Sequence, residues 1–468
     1  MRSRHAVILS IALPLSMQAT VWQVGPGQAY TLPSQVSVLV ADGDTVDMAA
    51  GVYASDVARW QADDLLLRGV GGFAHLESNG QSWGGKAIWV IQGNNNVVEW
   101  IAFSECAVPD QNGAGIRLEG LGLTVRHCWF HHNENGILGG EYHPSTVRIE
   151  HCEFGYNGHG DGYSHNLYIG NIDTLVFRYN YAHHAHIGHE LKSRARVNVI
   201  EYNRIGNEAD GDASREIDLP NGGQAYLIGN VVQQGPQGEN SNLVGFGMEG
   251  LSNPGPQQLY AINNTLVNEK ATGSFFQLPA TAYFKVWNNI LAGGGSFVTA
   301  WPTEMDTLGN LRATAIGTVG FAAASAYDYR IGEASPAHNL GVPAGLATSG
   351  YPLVALFEYV HPTAGTERCQ HATLDAGAFE TCTTTGLLEQ DDRSLLLYPN
   401  PASDVVTLAV PADASAVVLL DPVGNLVRAF SAQGGPIVQV DISSVASGSY
   451  FLCVHGPGRM QTQRFVKE

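Results

Sequence analysis

The sequence predicts an all-β protein, a right-handed parallel β-helix followed by a small antiparallel β-sandwich. Three observations support this fold class. Short segments with apolar residues two positions apart recur through the first two thirds of the chain. Each of these segments contains an asparagine or a cysteine at the same place. The composition, with 55 glycines and only 14% charged residues, favours strands and turns over helices.

The repeat itself indicates how the strands are arranged. An interval in the twenties is typical of stacked solenoids, in which each coil buries its apolar face against its neighbours. The alternation within each segment indicates strands. We expect the asparagines to hydrogen-bond from coil to coil as a polar ladder. The ladder positions recur every 23 to 34 residues, at Cys128, Cys152, Asn180, Asn203, Asn230, Asn264 and Asn289.

The beginning of the chain reads as an export signal. Residues 1–19 contain Arg2 and Arg4, then an apolar run, then small residues, which is the pattern of a secretory signal peptide. The β-helix domain is predicted over residues 20–380, with regular coils from about Val98 to Leu291. No later segment is long and apolar enough to span a membrane. We therefore expect a secreted or cell-surface protein.

The end of the chain reads as a separate domain. Residues 381–394 are polar and rich in threonine and aspartate, as linkers often are. Residues 395–468 alternate apolar and polar positions, with turn signals about every ten residues. This pattern predicts the small antiparallel β-sandwich.

Net charge limits the possible partners, and the positions of the cysteines indicate which of them can pair. A formal charge of −19 argues against nucleic acid or an anionic membrane as a partner, and we expect a monomer. Cys128 and Cys152 fall on successive coils, where they form either a disulfide or a stack of two thiols, with the stack favoured. Cys369 and Cys382 flank the end of the β-helix domain and are expected to pair.

A second strand can be aligned across the coils, and it carries the candidate site. Its inward residues are predicted to be Ile116, Ile137, Leu167, Leu191, Ile217 and Val244. Alternation then places the residues on either side outward. In the three central coils the outward columns are Asn166–Glu190–Glu216 and Tyr168–Lys192–Asp218. The same strands begin with His165, His189 and Arg215.

These residue types suggest an acidic-polysaccharide site. Stacked amide and carboxylate oxygens are ligands that suit Ca²⁺, so we expect a calcium site. Its predicted ligands are Asn166, Glu190, Glu216 and Asp218. The predicted catalytic residues are Lys192, Arg215, Tyr168 and His189. The predicted substrate-binding residues are His165, Arg194 and Glu249.

The reaction that we favour is β-elimination on a uronic-acid polysaccharide. Lys192 would remove the C5 proton as a base, and Arg215, Tyr168 or a histidine would assist the leaving oxygen. Calcium, with arginine or histidine, would neutralise the sugar carboxylate.

Two alternatives stay open. In a non-catalytic glycan-binding or structural wall, Lys192 would be salt-bridged, whereas a lyase needs it open to a groove. A glycoside hydrolase would instead need two carboxylates across a cleft, such as Glu216 with Asp218 or Glu249.

Two family resemblances add to this interpretation. The region 20–380 resembles the pectate-lyase-like right-handed β-helix superfamily. Within it, ELKSR followed by EYNRIG is similar to the chondroitinase-B and alginate-lyase family. That resemblance implies Lys192 as base, Arg215 as acid and an Asn/Glu/Glu calcium site. Arg215, however, stands in a different local sequence, REIDLPNGG.

The second resemblance concerns residues 395–468. YPNPASD near the start, SGSYFLCVHG and the basic end QRFVKE closely resemble the C-terminal sorting domain of type IX secretion cargo. The resemblance implies export through the periplasm and the outer membrane by the type IX secretion machinery.

Overall fold

The structure is a computed structural model that describes residues 19–369, 371, 373–382, 397–410, 414, 416–421, 425–432, 437–456 and 459–468. Apart from residue 19, the predicted signal peptide lies outside the described residues. The same holds for the predicted linker beyond residue 382.

Each coil of the β-helix is made of up to three short strands, and equivalent strands of successive coils pair in parallel. The first strand of each coil belongs to a ten-stranded sheet. Its strands are Ala58–Trp60, Ala87–Ile91, Ala114–Leu118, Asn135–Gly139, Leu167–Ile169, Leu191–Ser193, Ile217–Leu219, Asn242–Phe246, Ser274–Gln277 and Ser296–Val298. This order confirms the predicted parallel β-helix.

The other two strands of each coil form a second and a third stack, which the long strand Leu66–Glu77 joins into one 21-stranded sheet. The remaining strands of the second stack are Val21–Val24, Thr45–Val52, Asn96–Glu99, Leu123–Arg126, Thr146–Glu150, Thr174–Arg178, Val197–Glu201, Gln224–Ile228, Gln258–Ile262, Tyr283–Trp287 and Glu304–Leu308. Those of the third stack are Ile101–Ser104, Trp129–His131, Glu153–Gly155, Tyr181–His183, Arg204–Gly206, Val231–Gln234, Thr265–Asn268, Ile290–Gly293 and Leu311–Ala313. Regular coils thus continue past Leu291, the end predicted from the sequence, to Ala313.

The predicted polar ladder is present at the turn between the second and third stacks. The Asn180 backbone N–H and side-chain amide both donate to Asn203 Oδ1, at 2.9 and 3.1 Å. The same pair of bonds joins Asn203 to Asn230, Asn230 to Asn264 and Asn264 to Asn289. Cys128 and Cys152 occupy the first ladder positions as free, buried thiols, which confirms the stack over the disulfide.

The segment after the last coil folds back over the outside of the β-helix. It contains short 3₁₀ helices at Ile316–Thr318 and Ala324–Ala326 and two antiparallel hairpins. The hairpins are Phe321–Ala323 with Asp328–Ile331, and Phe357–Val360 with Ala364–Glu367. Apolar side chains of this extension pack on the outer faces of the second and third stacks. The predicted disulfide between Cys369 and Cys382 is formed.

At the other end of the β-helix, a short α-helix, Pro33–Val36, packs on the first coils. Among the residues described, no helix is long and apolar enough to cross a membrane.

The C-terminal domain is a small antiparallel β-sandwich, as predicted. One sheet has three strands, Leu397–Tyr398, Val405–Ala409 and Ile437–Asp441. The other has four, Leu426–Ser431, Ala416–Leu420, Gly448–Gly456 and Arg459–Lys467. Buried side chains from both sheets, among them Val406 and Leu452, form one apolar core.

The ladder yields a test of what holds the coils together. Replacing Asn203 by alanine removes the acceptor of two Asn180 donors and the donor to the Phe177 carbonyl. Buried groups left without partners cost about 1–3 kcal/mol each, so we expect Asn203→Ala to lower the free energy of unfolding by about 3 kcal/mol. Urea denaturation followed by circular dichroism measures this. The exposed Asn112→Ala is the control, and an equal loss in both variants would contradict the ladder's role.

Candidate functional site

The structure overturns the orientation predicted for Asn166, Glu190 and Glu216. All three side chains are fully buried and point into the coil interior, not outward. The reason is the length of the strands, which begin only at Leu167, Leu191 and Ile217. Residues 166, 190 and 216 precede the strands in a turn, where the alternation of strand side chains does not apply.

Interior volume explains why polar residues occupy this column. In the two coils before Asn166 the same column holds Gly115 and Gly136, where an added Cβ would lie 2.8 and 2.9 Å from the rings of Phe130 and Phe154. In later coils the inward residues of the third stack are the smaller Ala182 and Ile205. The side chains of Asn166, Glu190 and Glu216 therefore have room in the interior, because no phenyl ring follows Phe154 in the third stack.

These buried polar groups bond to one another and to the backbone. Asn166 accepts from Asn157 Nδ2 at 2.8 Å and donates to the His183 carbonyl at 2.8 Å and to Glu190. The Ala185 backbone N–H donates to Glu190 Oε1 at 3.0 Å. In the next coil, Asn207 Nδ2 donates to Glu216 Oε1 at 3.1 Å. The column is thus an internal hydrogen-bond network.

Burial also changes the ionisation of the two carboxyls. Desolvation raises the pKa of Glu190 to about 8, although the hydrogen bonds from Ala185 and Asn166 oppose the shift. Desolvation raises the pKa of Glu216 well above its usual value. Near neutral pH the column is therefore not a set of carboxylates open to a hydrated cation.

This arrangement does not fit the predicted calcium ligands. Asn166, Glu190 and Glu216 face the interior, and the fourth predicted ligand, Asp218, is engaged by cationic side chains. Within the described ranges, no group of three or more histidine, cysteine, aspartate or glutamate residues is arranged to hold a metal ion. Calcium stays a prediction for this chain.

The other predicted column lies as expected. The six inward residues of the ten-stranded sheet are fully buried. Tyr168 lies opposite Lys192, and Lys192 lies opposite Asp218, on neighbouring strands. The Lys192 and Asp218 side chains are 12% and 4% exposed, so they lie on the outer face of the sheet but are largely covered by neighbouring side chains.

Lys192 and Arg194 together hold one carboxylate, that of Glu249. Lys192 Nζ lies 3.1 Å from Glu249 Oε1, and Arg194 Nη2 lies 2.6 Å from Glu249 Oε2. Burial would raise the pKa of Glu249, but the hydrogen bonds from Arg194 and Lys192 lower it below its usual value. Arg194 Nε also donates to the Tyr168 hydroxyl at 2.8 Å. The Tyr168 O–H proton is therefore free to be donated elsewhere.

The Arg215 side chain extends along the outside of the sheet from its own coil to the strand Ser274–Gln277. Its Nη1 donates to Asp218 Oδ1 at 2.8 Å, and its Nη2 donates to Gln277 Oε1 at 2.6 Å. Gly245 stands between these two partners in the same column. A Cβ at Gly245 would lie 2.5 Å from Arg215 Nη1, so the absence of a side chain there lets the guanidinium lie flat.

His165 and His189 stack in parallel, with ring centroids 4.9 Å apart, at the start of the same strands. Desolvation, with the nearby charges of Lys192 and Arg215, lowers the pKa of His189 to about 3. Desolvation also lowers the pKa of His165 well below its usual value. Both rings are therefore neutral at pH 7, and His189 Nε2 lies 3.5 Å from Asp218 Oδ2.

The cluster formed by Tyr168, Lys192, Arg194, Arg215, Asp218 and Glu249 is called the cationic cluster below. Asn221 and Gln277 also belong with it, because Asn221 Oδ1 accepts from Arg194 Nη1 at 2.6 Å. Sequence reasoning missed Asn221, Gln277 and Gly245. The alignment of outward positions reaches Gln277 and could have found it, whereas Asn221 lies in a turn with no periodic signal.

Glu249 reaches the cluster from a loop, residues 247–257, that runs back over earlier coils. The Asn253 amide holds this loop down by donating to the Ala195 and Gly222 carbonyls at 3.0 and 2.9 Å. A sequence signal for the loop existed. The interval between ladder residues Asn230 and Asn264 is 34, longer than the others, and insertions into a repeat form loops on one face.

The fold and the cluster define the class of protein, a parallel β-helix with a polar cluster on the outside of one sheet. Pectate lyase Pel9A shares this fold, with a TM-score of 0.52 and 12% identity over 79% of this chain and 98% of that chain. The alginate lyase AlyGC, of family PL6, aligns with a TM-score of 0.30 and 13% identity over 79% and 58% of the two chains. The A-module of the mannuronan C-5 epimerase AlgE6 of Azotobacter vinelandii aligns with a TM-score of 0.33 and 12% identity over 58% and 91%.

Sequence comparison adds one domain. Residues 396–468 match the secretion system C-terminal sorting domain, which confirms the resemblance noted for the end of the chain. No curated protein matches the chain.

The buried Glu190 predicts a pH dependence of stability. The folded protein holds a proton on Glu190 up to about pH 8, whereas an unfolded chain releases it near pH 4.5. The folded state therefore loses stability as pH rises between these values, by an amount on the order of 4 kcal/mol. We expect Glu190→Gln to be more stable than wild type at pH 8, and the difference to shrink towards pH 5. Thermal melts across this range measure it, with the exposed Glu367→Gln as control; an unchanged pH profile in Glu190→Gln would contradict the shift.

Proposed function

We propose that the cationic cluster binds the carboxylates of an acidic polysaccharide and cleaves the chain by β-elimination. The observation that carries this proposal is the pair Lys192 and Arg194 closing on the two oxygens of one carboxylate. The chain has a formal charge of −19, so three cationic side chains gathered on one sheet create a local site that a polyanion can use. The carboxylate now held there, Glu249, is half exposed and belongs to a loop.

Glu249 would act as a stand-in for the substrate. An exposed ion pair contributes little stability, so a sugar carboxylate can replace Glu249 at small cost. Arginine suits this role because its planar guanidinium matches a carboxylate with two parallel hydrogen bonds. Arg215, held flat by Asp218 and Gln277, offers a second cation one strand further along the sheet.

The proposed reaction uses these positions. With the sugar carboxylate on Arg194, its charge is offset and the C5 proton becomes more acidic. Lys192, after giving its own proton to solvent, takes the proton from C5, and the electron pair of the C5–H bond forms the C4–C5 double bond as the C4–O bond breaks. The Tyr168 hydroxyl, already accepting from Arg194, gives its proton to the departing glycosidic oxygen. The fold shared with a pectate lyase is compatible with this chemistry, as an analogy at fold level.

A non-catalytic glycan-binding wall is the second candidate, and one observation favours it. Lys192 is paired with both Glu249 and Asp218, at 3.1 and 3.7 Å, which is the state expected of a structural wall. Glu216 cannot serve as one of the two carboxylates of a glycoside hydrolase, because it is buried inside the coil. The lyase and the wall differ in whether binding at Lys192 leads to bond cleavage.

The sorting domain bears on where this activity would operate. We propose that the type IX secretion machinery exports the protein to the cell surface or the medium, where polysaccharides are accessible. The match over residues 396–468 supports this proposal.

Replacing Lys192 tests catalysis. The full chain is incubated with alginate, pectate, chondroitin and heparan-type substrates, with calcium and with chelator, and absorbance near 235 nm is followed, where the unsaturated product absorbs. We expect a rise on at least one substrate, and a loss of at least about 100-fold in Lys192→Ala because the base is gone. Arg117→Ala is the control, since Arg117 lies in the same outward column three strands away. If the absorbance does not rise but the substrates still bind, the lyase proposal is wrong and the non-catalytic glycan-binding protein remains. If no substrate binds, both proposals are wrong.

Replacing Glu249 tests whether its carboxylate occupies the position of the substrate carboxylate. Glu249→Gln removes the competing charge, so we expect oligouronates to bind roughly two- to fivefold more tightly, as an exposed ion pair is worth about 0.5–1 kcal/mol. Isothermal titration calorimetry measures the change. Glu119→Gln is the control, because Glu119 pairs with Lys86 on the same sheet, outside the cluster. Weaker binding by Glu249→Gln would show that Glu249 itself contacts the saccharide.

A further inference from the structure

A groove on the outside of the first coils stands apart from the cationic cluster. It encloses about 460 Å³. This aromatic groove is lined by Phe73, Trp100, His127, Trp129, Glu153 and Thr363, among others. It lies beside the third stack, whereas the cationic cluster lies on the ten-stranded sheet.

The groove concentrates exposed aromatic rings. Trp100, Phe73 and Trp129 are 42%, 40% and 36% exposed. A single exposed apolar residue needs no explanation, but several large rings around one cavity of this size mark a ligand site. Among the described residues, neither indole N–H of Trp100 and Trp129 has a hydrogen-bond partner, so both can donate to a ligand.

The rings are held rigidly by the coils beneath them. Trp100 stacks on His127 at 4.7 Å with 13° between the planes, and His127 stacks on His151 at 5.0 Å. His151 Nδ1 donates to the Thr363 carbonyl at 2.8 Å, which ties the turn of the hairpin Phe357–Val360 with Ala364–Glu367 to the same stack. A preformed platform of this kind avoids the entropic cost of ordering side chains on binding.

The polar groups of the groove indicate the charge of the ligand. Glu153 lines it with a 31% exposed side chain, and its one ion-pair contact with the residues that the structure describes is His183 Nε2 at 3.4 Å. Burial lowers the pKa of His183, so this ring carries no charge at pH 7 to offset the carboxylate. The lining contains no lysine or arginine. A uronic-acid chain would be repelled here, whereas a hydroxyl group could donate to Glu153.

We propose that the aromatic groove binds a neutral saccharide chain. Pyranose rings present flat C–H faces that stack on the exposed ring of Trp129, because Phe73 and His127 already pack on the Trp100 ring, while the sugar hydroxyls bond Glu153 and the indole N–H groups. The site differs in location and ligand class from the cationic cluster, so this proposal does not depend on the proposed lyase activity. The protein would hold a neutral glycan on one wall and act on an acidic glycan on another.

The test is a titration of the full chain with cellohexaose, xylohexaose, mannohexaose and maltohexaose, followed by tryptophan fluorescence and calorimetry. We expect at least one of them to bind with a millimolar or lower Kd, and Trp129→Ala to weaken that binding about fivefold or more. Trp129→Phe should retain part of it. The control is Trp301→Ala, because Trp301 is 66% exposed and stacks on Phe297, outside the groove.

Several outcomes would overturn the proposal. One is the absence of binding to all four neutral oligosaccharides, with the protein shown to be folded by circular dichroism. A second is binding that Trp129→Ala leaves unchanged. A third is binding of oligogalacturonate that depends on Trp129, since it would contradict the charge argument. A dimer in sedimentation that Trp129→Ala dissociates would assign the groove to contact between two copies instead.

Discussion

The register between coils is the constraint on which every other feature depends. Parallel pairing places equivalent residues of successive coils side by side, and the asparagine ladder fixes that register at one turn. Buried amides that exchange bonds from coil to coil cannot slip by one residue without losing their partners. Once the register is set, Tyr168, Lys192 and Asp218 become neighbours on the surface although they are far apart in sequence.

The same register produces two adjacent polar columns in opposite environments. Asn166, Glu190 and Glu216 are desolvated, so neutral carboxyls and amide bonds are favoured there. Lys192 and Asp218 lie only two residues further along the same strands, yet they are on the outside of the sheet, among charged partners. A turn of the backbone at the start of each strand separates the two columns. Similar residue types therefore serve the interior in one case and the surface in the other.

Segments that leave the regular coils decide which parts of the outer surface remain available. The extension after the last coil covers the second and third stacks over the later coils. The turn of its second hairpin, at Thr363, also forms one side of the aromatic groove. The loop 247–257 brings a carboxylate back onto Lys192 and Arg194. Charge and ring exposure thus differ from wall to wall, which gives one solenoid two chemically distinct surfaces.

The sequence by itself determined the repeat, the ladder, the inward column and the pairing of Tyr168, Lys192 and Asp218, because these follow from local periodicity and a constant coil length. It also determined the C-terminal sandwich and the Cys369–Cys382 bridge. Only the tertiary structure decided the burial of Glu190, since that depends on where a strand begins and on the volume left by Phe154 and Ala182. Only it placed Glu249 on the cationic cluster and Thr363 on the aromatic groove. Contacts made by loops and by a returning segment carry no period, so alternation along the chain cannot reveal them.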